Sequence, residues 1–270
     1  MRKFKWSNLY LILTFIVLYL PIGYLILYSF SEGERMTNYR GFTWRHYQEL
    51  FADPRMIQIV LDTLIVALLS ALIATIIGTL GALAINNTTR PSMRNTILSL
   101  NNILMVSPDV IIGASFLIFF TALRLPLGFT SVLLSHIAFS IPIVVLMVLP
   151  KLRELSGSLI DAARDIGASN VQVLKDVIIP FITPGIFAGF FMAMTYSLDD
   201  FAVTFFVTGN GFETLSVEIY ARARQGISLE INALSGIMFL FALVLVVGYY
   251  FVHQGQSARK TKKRGGDPLA

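Results

Sequence analysis

Residues 161–180 read DAARDIGASNVQVLKDVIIP, a stretch rich in small and polar residues within a chain dominated by long apolar runs. Ser158 and Asp161, at its start, match the S-x-x-D pattern that begins many helices. Gly167 suits the left-handed backbone position that ends a helix, because glycine adopts it without a steric penalty. The first half of the stretch therefore predicts a short helix that ends at a glycine corner.

A second helix start follows this corner. Ser169 and Gln172 form an S-x-x-Q capping box, and the apolar positions after it keep a helical spacing as far as Pro180. Segment 155–180 is thus expected to hold two short helices that lead into an apolar run. An ordinary loop is the alternative, but a loop leaves one small and apolar face uncovered, formed by Leu155, Leu159, Ala162, Ala163 and Ile166.

The composition predicts a membrane protein. Of the 270 residues, 55% are hydrophobic and only 14% are charged, whereas soluble domains average about 25% charged residues. Crossing a bilayer core takes about 20 helical residues. Six apolar runs are long enough, so we expect an all-α integral membrane protein with six transmembrane helices, at about 8–30, 57–85, 97–121, 129–150, 177–207 and 232–252.

The distribution of positive charge predicts the orientation. With a cytoplasmic N-terminus, 14 of the 21 Lys and Arg residues fall on the cytoplasmic side, as the positive-inside rule requires. Both termini are then cytoplasmic. The expected organisation is an N-terminal helix with an external segment (1–56), a membrane core (57–253) and a basic tail (254–270) that contacts anionic lipid rather than nucleic acid.

Several kinds of chemistry are absent from the sequence. The chain has no G-x-x-x-x-G-K-[ST] sequence, so no loop is expected to bind the phosphates of ATP. It also has no Cys, which excludes disulfides and thiolate chemistry. We therefore expect no catalytic residue, metal ligand or cofactor in this chain, and any nucleotide must be handled by another subunit.

Four carboxylates lie in or at the ends of the predicted spans, at Asp62, Asp109, Asp199 and Asp200. The five spans after the first contain no Lys or Arg to neutralise them, and an ionisable group at membrane depth usually faces a cavity or a partner. An unbroken helix from Ile97 would carry Asp109 about 18 Å into the membrane. A cationic substrate is the counterion that these residues predict, with Asp109 in its passage and the Asp199 and Asp200 pair near the entrance.

An aromatic residue accompanies one of these carboxylates. Met192, Tyr196, Asp199 and Val203 share a face if the fifth span is a single helix, and a phenol ring beside a carboxylate suits an ammonium group on a methylene chain. Three structural alternatives remain: the carboxyl groups are neutral, pair with a companion subunit, or cap helices. Such a structural role is favoured for Asp62.

The stretch quoted first resembles the EAA motif of ABC importer permeases, which reads E-A-A-x-x-x-G and later I-x-L-P. Asp161, Ala162, Ala163 and Gly167 fall on E, A, A and G, and residues 178–180 fall on I-x-L-P. The resemblance implies a type I, MetI-like permease core with a cytoplasmic coupling helix. In that family the alanines allow close approach to a groove of the ATPase subunit, the acidic residue pairs with it, and the ATPase binds ATP and Mg²⁺.

Other stretches extend the resemblance. From about residue 40 to 250 the chain is similar to PotC-type permeases of spermidine/putrescine importers. The matching stretches are MVSPDVIIGASFLIFF (105–120), LLSHIAFSIP (133–142), YSLDDFAVTFFVTG (196–209) and LSVEIYARARQGISLEINALS (215–235).

This second resemblance implies polyamine uptake across a bacterial cytoplasmic membrane. Its substrate pathway is expected to include Asp109, Tyr196, Asp199 and Asp200. The implied partners are a second, PotB-type permease, two copies of a PotA-type ATPase, an external PotD-type polyamine-binding protein and membrane lipid.

Other functions stay open. The first is an ABC permease for another cation, such as thiamine or ferric iron, since the external binding protein sets much of the selectivity. The second is a cation-coupled secondary transporter that uses Asp109 and His136 as a proton relay. We expect His136 to be packed and hydrogen-bonded instead, and such a transporter leaves segment 155–180 without a role. The third is a signalling or assembly protein that transports nothing.

Overall fold

The computed structural model is helical almost throughout the part of the chain that it describes. The described residues are 6–33, 36, 38–225, 229–240 and 243. The helices are α1 (Trp6–Ser29), α2 (Arg45–Ala52), α3 (Pro54–Asn87), α4 (Pro91–Val106), α5 (Asp109–Ala122), α6 (Phe129–Glu154), α7 (Gly157–Asp165), α8 (Asn170–Gln172), α9 (Ile179–Asp199), α10 (Ala202–Val207), α11 (Leu215–Gln225) and α12 (Leu229–Leu240), with a π-helical segment Val173–Ile178 between α8 and α9.

The chain divides into two compact units, residues 1–57 with 221–270 and residues 58–220. The candidate functional residues all lie in the second unit. Among the described residues, four helices are long and apolar enough to cross a membrane, and the bent pair of α4 and α5 makes a fifth if it counts as one span. The sixth predicted span is described only at 232–240 and 243, and the tail 254–270 lies outside the described residues. The six-span count and the cytoplasmic termini therefore stay predictions.

The third predicted span, 97–121, is not one helix. It is divided between α4 and α5, whose directions differ by 104°. Pro108 has a fixed φ and disfavours helical backbone at the residue before it, so Ser107 is extended, with a ψ of 138°. The prediction of an unbroken helix leading to Asp109 is therefore wrong, and Asp109 instead begins α5.

The fifth predicted span, 177–207, has different ends and an internal break. Its helix runs for 30 residues from Asn170 to Asp199. Asp200 is extended, with φ −65° and ψ 118°, and α10 begins at Ala202. The Asp200 side chain accepts hydrogen bonds from backbone N–H groups of α10. This local bonding gives the backbone an alternative to continuing α9.

The helix that begins after Ser169 continues through Pro180 into the fifth predicted span. Its turns widen to π-helix over Val173–Ile178, and the N–H of Ile179 bonds to the carbonyl of Leu174. In a regular α-helix the ring of Pro180 would crowd the carbonyl four residues earlier, and a wider turn moves that carbonyl away. The second half of the coupling segment and the fifth span are therefore one helix.

Helix α6 is the most buried of the candidate spans and packs against α9. Two glycines bring neighbouring helices onto its fully buried Val144. A Cβ placed on Gly78 of α3 would lie 2.6 Å from the Cβ of Val144, and one on Gly189 of α9 would lie 3.2 Å from its Cα. The first distance leaves no room for a side chain, so the helices approach this closely only because residue 78 is glycine.

Candidate functional site

A carboxylate and a phenol meet at the break between α4 and α5. Asp109 is the first residue of α5, where the free N–H groups of the helix start favour a negative charge. The hydroxyl of Tyr196 on α9 donates to Asp109 Oδ1 at 3.0 Å. Asp109 is exposed and Tyr196 keeps 42% of its surface exposed. The pair is therefore accessible to a solute or to a partner chain.

The surroundings of Tyr196 are partly aromatic and partly open. Its ring packs edge-on against Phe139 of α6, with centroids 5.2 Å apart and an interplanar angle of 72°. Met192, one turn earlier on α9, and Asp199, at its end, are both exposed. Val203 does not continue this face as predicted, because it belongs to α10 and is buried.

The neighbouring carboxylates Asp199 and Asp200 have different surroundings. Asp199 is the last residue of α9 and is exposed. Asp200 is only 8% exposed. Its Oδ2 accepts from the Thr204 N–H at 2.8 Å and from the Thr204 hydroxyl at 2.7 Å, and its Oδ1 accepts from the Val203 N–H at 3.3 Å. Of the two, only Asp199 presents an open carboxylate, and the substrate role of Asp200 stays a prediction.

His136 of α6 is fully buried and joins the bonds around Asp200. Its Nε2 lies 2.8 Å from Thr204 Oγ1 and 3.5 Å from Asp200 Oδ2, and its Nδ1 lies 2.6 Å from Ser197 Oγ. Since the Thr204 hydroxyl donates to Asp200, its oxygen accepts from Nε2–H, and in a neutral imidazole Nδ1 then accepts from Ser197. The neutral tautomer with a proton on Nε2 satisfies both ring nitrogens. The prediction of a packed, hydrogen-bonded His136 is confirmed.

The same network reaches α3, where Ser70 donates to the Ser197 oxygen at 3.1 Å. It therefore joins four helices through side chains alone. Sequence analysis missed Ser70, Ser197 and Thr204, because a hydroxyl in an apolar helix usually bonds a carbonyl of its own helix and carries no sign of a distant partner. The available signal was His136, since a buried imidazole needs partners for two nitrogens.

Asp62 has a local partner. It is half-buried on α3, and Gln58, one turn earlier, donates to its Oδ1 at 2.8 Å. This bond agrees with the structural role favoured for Asp62. Across the described residues, no group of three or more His, Asp or Glu side chains is placed to hold a metal ion.

The glycine corner of segment 155–180 forms as predicted. Gly167 follows α7 with a φ of +89°. Its N–H bonds to the carbonyl of Arg164 at 2.8 Å, and the N–H of Ala168 bonds to the carbonyl of Ala163 at 3.0 Å. These two bonds make a Schellman motif, which satisfies carbonyls left free at a helix end.

The two helix starts differ in how well they were predicted. The capping box of Ser169 and Gln172 is confirmed, with both reciprocal hydrogen bonds present. The start at Ser158 is wrong by two residues, because the hydroxyl of Ser156 accepts from the Ser158 N–H and α7 begins at Gly157. Ser156 is extended, with φ −67° and ψ 131°, which is the backbone geometry that an N-cap residue needs.

The face predicted to dock another subunit is largely exposed. Ile166 is 87% exposed and Leu159 is 51% exposed. Asp161 and Ala162 are exposed as well, and Ala163 is half-buried. Apolar side chains exposed together in this way are typical of a surface that another protein covers. The roles given to Asp161, Ala162, Ala163 and Gly167 in such a contact stay predictions.

Comparison with solved structures defines the fold class. A chain from the crystal structure of a bacterial ABC transporter involved in the import of the acidic polysaccharide alginate matches with a TM-score of 0.69 at 18% identity, covering 93% of this chain and 96% of that chain. A chain of the inward-facing MetNI methionine ABC transporter matches with a TM-score of 0.59 at 20% identity, covering 74% and 95%. The fold is therefore that of a MetI-like ABC permease.

The chain belongs to the family of binding-protein-dependent transport system inner membrane components, which it matches over residues 74–260. The spermidine/putrescine transport system permease protein PotC of Escherichia coli strain K12 is 36% identical over 250 residues, 93% of each chain. PotC of Haemophilus influenzae is 33% identical over 247 residues, 92% of this chain and 96% of the relative. The putrescine transport system permease protein PotI of Escherichia coli strain K12 is 32% identical over 261 residues, 94% and 93%.

Proposed function

We propose that this chain is the membrane-spanning permease subunit of an ATP-driven importer that moves polyamines, spermidine or putrescine, into the cell. The observation that carries the proposal is the 36% identity to a spermidine/putrescine permease over 93% of both chains. Similarity of this extent favours a common transport role. The chain then catalyses no reaction itself and lies in the bacterial inner membrane as a multi-pass subunit.

The exposed side chains around α9 support a polyamine as the substrate. A polyamine carries ammonium groups on methylene chains, so carboxylates can neutralise its charges and an aromatic ring can contact its methylenes. Asp109 and Asp199 offer exposed carboxylates, and Tyr196 offers an exposed ring. We assign these three residues to contact with the substrate. We place Asp200 in the same pathway. It directly follows Asp199 and is the residue at which the helical backbone of α9 stops.

A separate ATPase subunit would bind ATP and Mg²⁺ and receive α7. The exposed α7 face supports this assignment, because Asp161 can pair with a basic group and the small Ala162 and Ala163 allow close approach. The Gly167 corner then fixes the direction in which α7 leaves the long helix. By analogy with PotC-type importers, the assembly contains a PotB-type permease, two PotA-type ATPases and an external PotD-type binding protein.

The test is substrate-stimulated ATP hydrolysis by the chain purified with its endogenous partners and reconstituted in liposomes. Spermidine or putrescine should stimulate hydrolysis, whereas thiamine and ferric iron should not. Asp109→Asn should lower polyamine uptake by a factor of about 10 to 150, since it removes a charged partner worth about 1.5–3 kcal/mol. Asp62→Asn is the matched control, because Asp62 already bonds to Gln58 and should retain uptake.

Three results would contradict the proposal. The first is stimulation by a non-polyamine alone. The second is an equal loss of uptake in Asp109→Asn and Asp62→Asn. This result would mean that removing any negative charge lowers uptake, whatever its position. The third is uptake by the isolated chain driven by a proton gradient, which would identify a secondary transporter.

Ala163→Asp, which inserts a charge in the α7 face, should abolish stimulation of the ATPase while the chain still folds.

A further inference from the structure

A basic cavity of about 450 Å³ lies between the α3–α4 connection and the end of α6. Its polar wall includes Thr88, Thr89, Arg94, Asn95 and Arg153. Arg153 is three residues before Ser156, the N-cap of α7, so the cavity lies at the end of the helix bundle that carries the coupling segment. Nothing in the proposed transport function uses this cavity.

Within the described part of the chain, the arginines of this cavity form no ion pair with an acidic side chain. Arg94 Nε is buried and has no hydrogen-bond partner among the described residues. The sequence has no Asp or Glu from 63 to 108. Glu154 is adjacent to Arg153, but its Oε2 lies 2.7 Å from Lys151 Nζ and forms an ion pair with that residue. A buried guanidinium N–H without a partner is costly. The cavity also adjoins the start of α4, whose free N–H groups favour an anion.

A second cavity, of about 210 Å³, continues from the first between α4 and α6. The two share Leu98 and Arg153. Its wall is mainly apolar and includes Val145, Leu146 and Leu149. A basic, hydrogen-bonding cavity therefore opens into an apolar groove, an arrangement that fits a molecule with an anionic head and a hydrocarbon chain.

We propose that the two cavities bind one anionic phospholipid. Its phosphate lies between Arg94 and Arg153, since a guanidinium group bonds phosphate oxygens through two parallel N–H groups. Its acyl chain lies in the groove beside Leu146 and Leu149. A soluble phosphate would satisfy Arg94 but leave the apolar groove empty, so the combination of the two cavities favours a lipid.

The test is native mass spectrometry of the transporter assembled with its partner subunits, with phosphatidylglycerol or phosphatidylcholine added. Wild type should retain phosphatidylglycerol in preference to phosphatidylcholine. Arg94→Gln and Arg153→Gln should each weaken that retention about fivefold, because an arginine near an anionic headgroup contributes about 1 kcal/mol. Arg94→Lys keeps the positive charge but loses the paired N–H groups, so it should retain part of the preference, which would exclude misfolding as the cause. Arg124→Gln is the matched control, since Arg124 is exposed and precedes α6 at its opposite end.

Three outcomes would overturn the inference. One is equal retention of the two lipids by wild type, and another is unchanged retention in Arg94→Gln. The third is displacement of the bound lipid by inorganic phosphate at the same concentration, which would identify a site for a soluble anion. The measurement needs neither substrate nor ATP, so its result is independent of the proposed polyamine transport.

Discussion

His136 illustrates how one polar side chain is accommodated in an apolar helix bundle. Each hydroxyl and imidazole of the network donates in one direction, from Ser70 through Ser197 to His136, and from His136 through Thr204 to Asp200. A buried polar group without a partner costs about 1–3 kcal/mol, and here each group has one. The network therefore favours one relative arrangement of four helices, because any other would leave some of these groups unbonded.

The serine in the middle of this network gives a prediction at the scale of one residue. Ser197→Ala removes the partner of His136 Nδ1 and should lower the stability of the detergent-purified chain by about 1–3 kcal/mol, measured by thermal unfolding. Ser115→Ala is the matched control, because Ser115 is exposed and bonds only to a carbonyl of its own helix. Its effect should stay within about 0.5 kcal/mol. Equal effects of the two changes would mean that the network does not stabilise the fold.

At the scale of helices, close packing on α6 explains two glycines that no turn requires. Gly78 of α3 and Gly189 of α9 both face Val144, so one buried valine contacts two neighbouring helices. The close approach increases van der Waals contact, which is one of the attractions that hold helices together in lipid. It also leaves no room for a Cβ at residue 78 and little room for one at residue 189.

A pair of glycines on α3 tests this packing. A Cβ at Gly78 would lie 2.6 Å from the Cβ of Val144, whereas one at Gly81 would lie 3.7 Å from the Val145 side chain, an ordinary contact. Both Gly→Ala changes raise helix propensity by a similar amount, so their difference reports the contact. Gly78→Ala should be less stable than Gly81→Ala by about 1–3 kcal/mol in thermal unfolding. Equal melting temperatures would show that α3 shifts away from α6 without cost.

The helix boundaries show which features a sequence can predict. The corner at Gly167 and the capping box at Ser169 were predicted because the residues that make them are neighbours along the chain. The break at Asp200 was missed, since its carboxylate is held partly by His136, far away in sequence. The bend at Pro108 had a local signal, but apolar composition on both sides does not reveal the direction of a helix. The contact between Asp109 and Tyr196 depends on that bend and was missed with it.

At the scale of the whole molecule, the orientation in the membrane is still a prediction from the positions of Lys and Arg. The two ends of α6 offer a direct measurement, because Thr130 lies in its first turn, Gly157 lies three residues beyond its end, and both are exposed. The chain has no Cys, so a single introduced Cys would be the one reactive thiol.

The orientation prediction can be checked by labelling spheroplasts with a membrane-impermeant maleimide. Thr130→Cys should react in intact spheroplasts, since the start of α6 is predicted to be external by the positive-inside rule. Gly157→Cys should react only after the membrane is opened. The reverse pattern would invert the topology and would place α7 on the wrong side for a cytoplasmic ATPase.

The long helix from Asn170 to Asp199 has a mechanical consequence. It approaches α6 closely at Gly185 and Gly189, where neighbouring helix atoms leave little room for a side chain. From Gly189 one arm extends about 28 Å to Asn170 and the other about 15 Å to Asp199, at 1.5 Å per residue. A helix that pivots there as a rod is a lever of unequal arms. A displacement at the Asn170 end would reach Asp199 reversed in direction and reduced to about half, so the geometry exchanges distance for force.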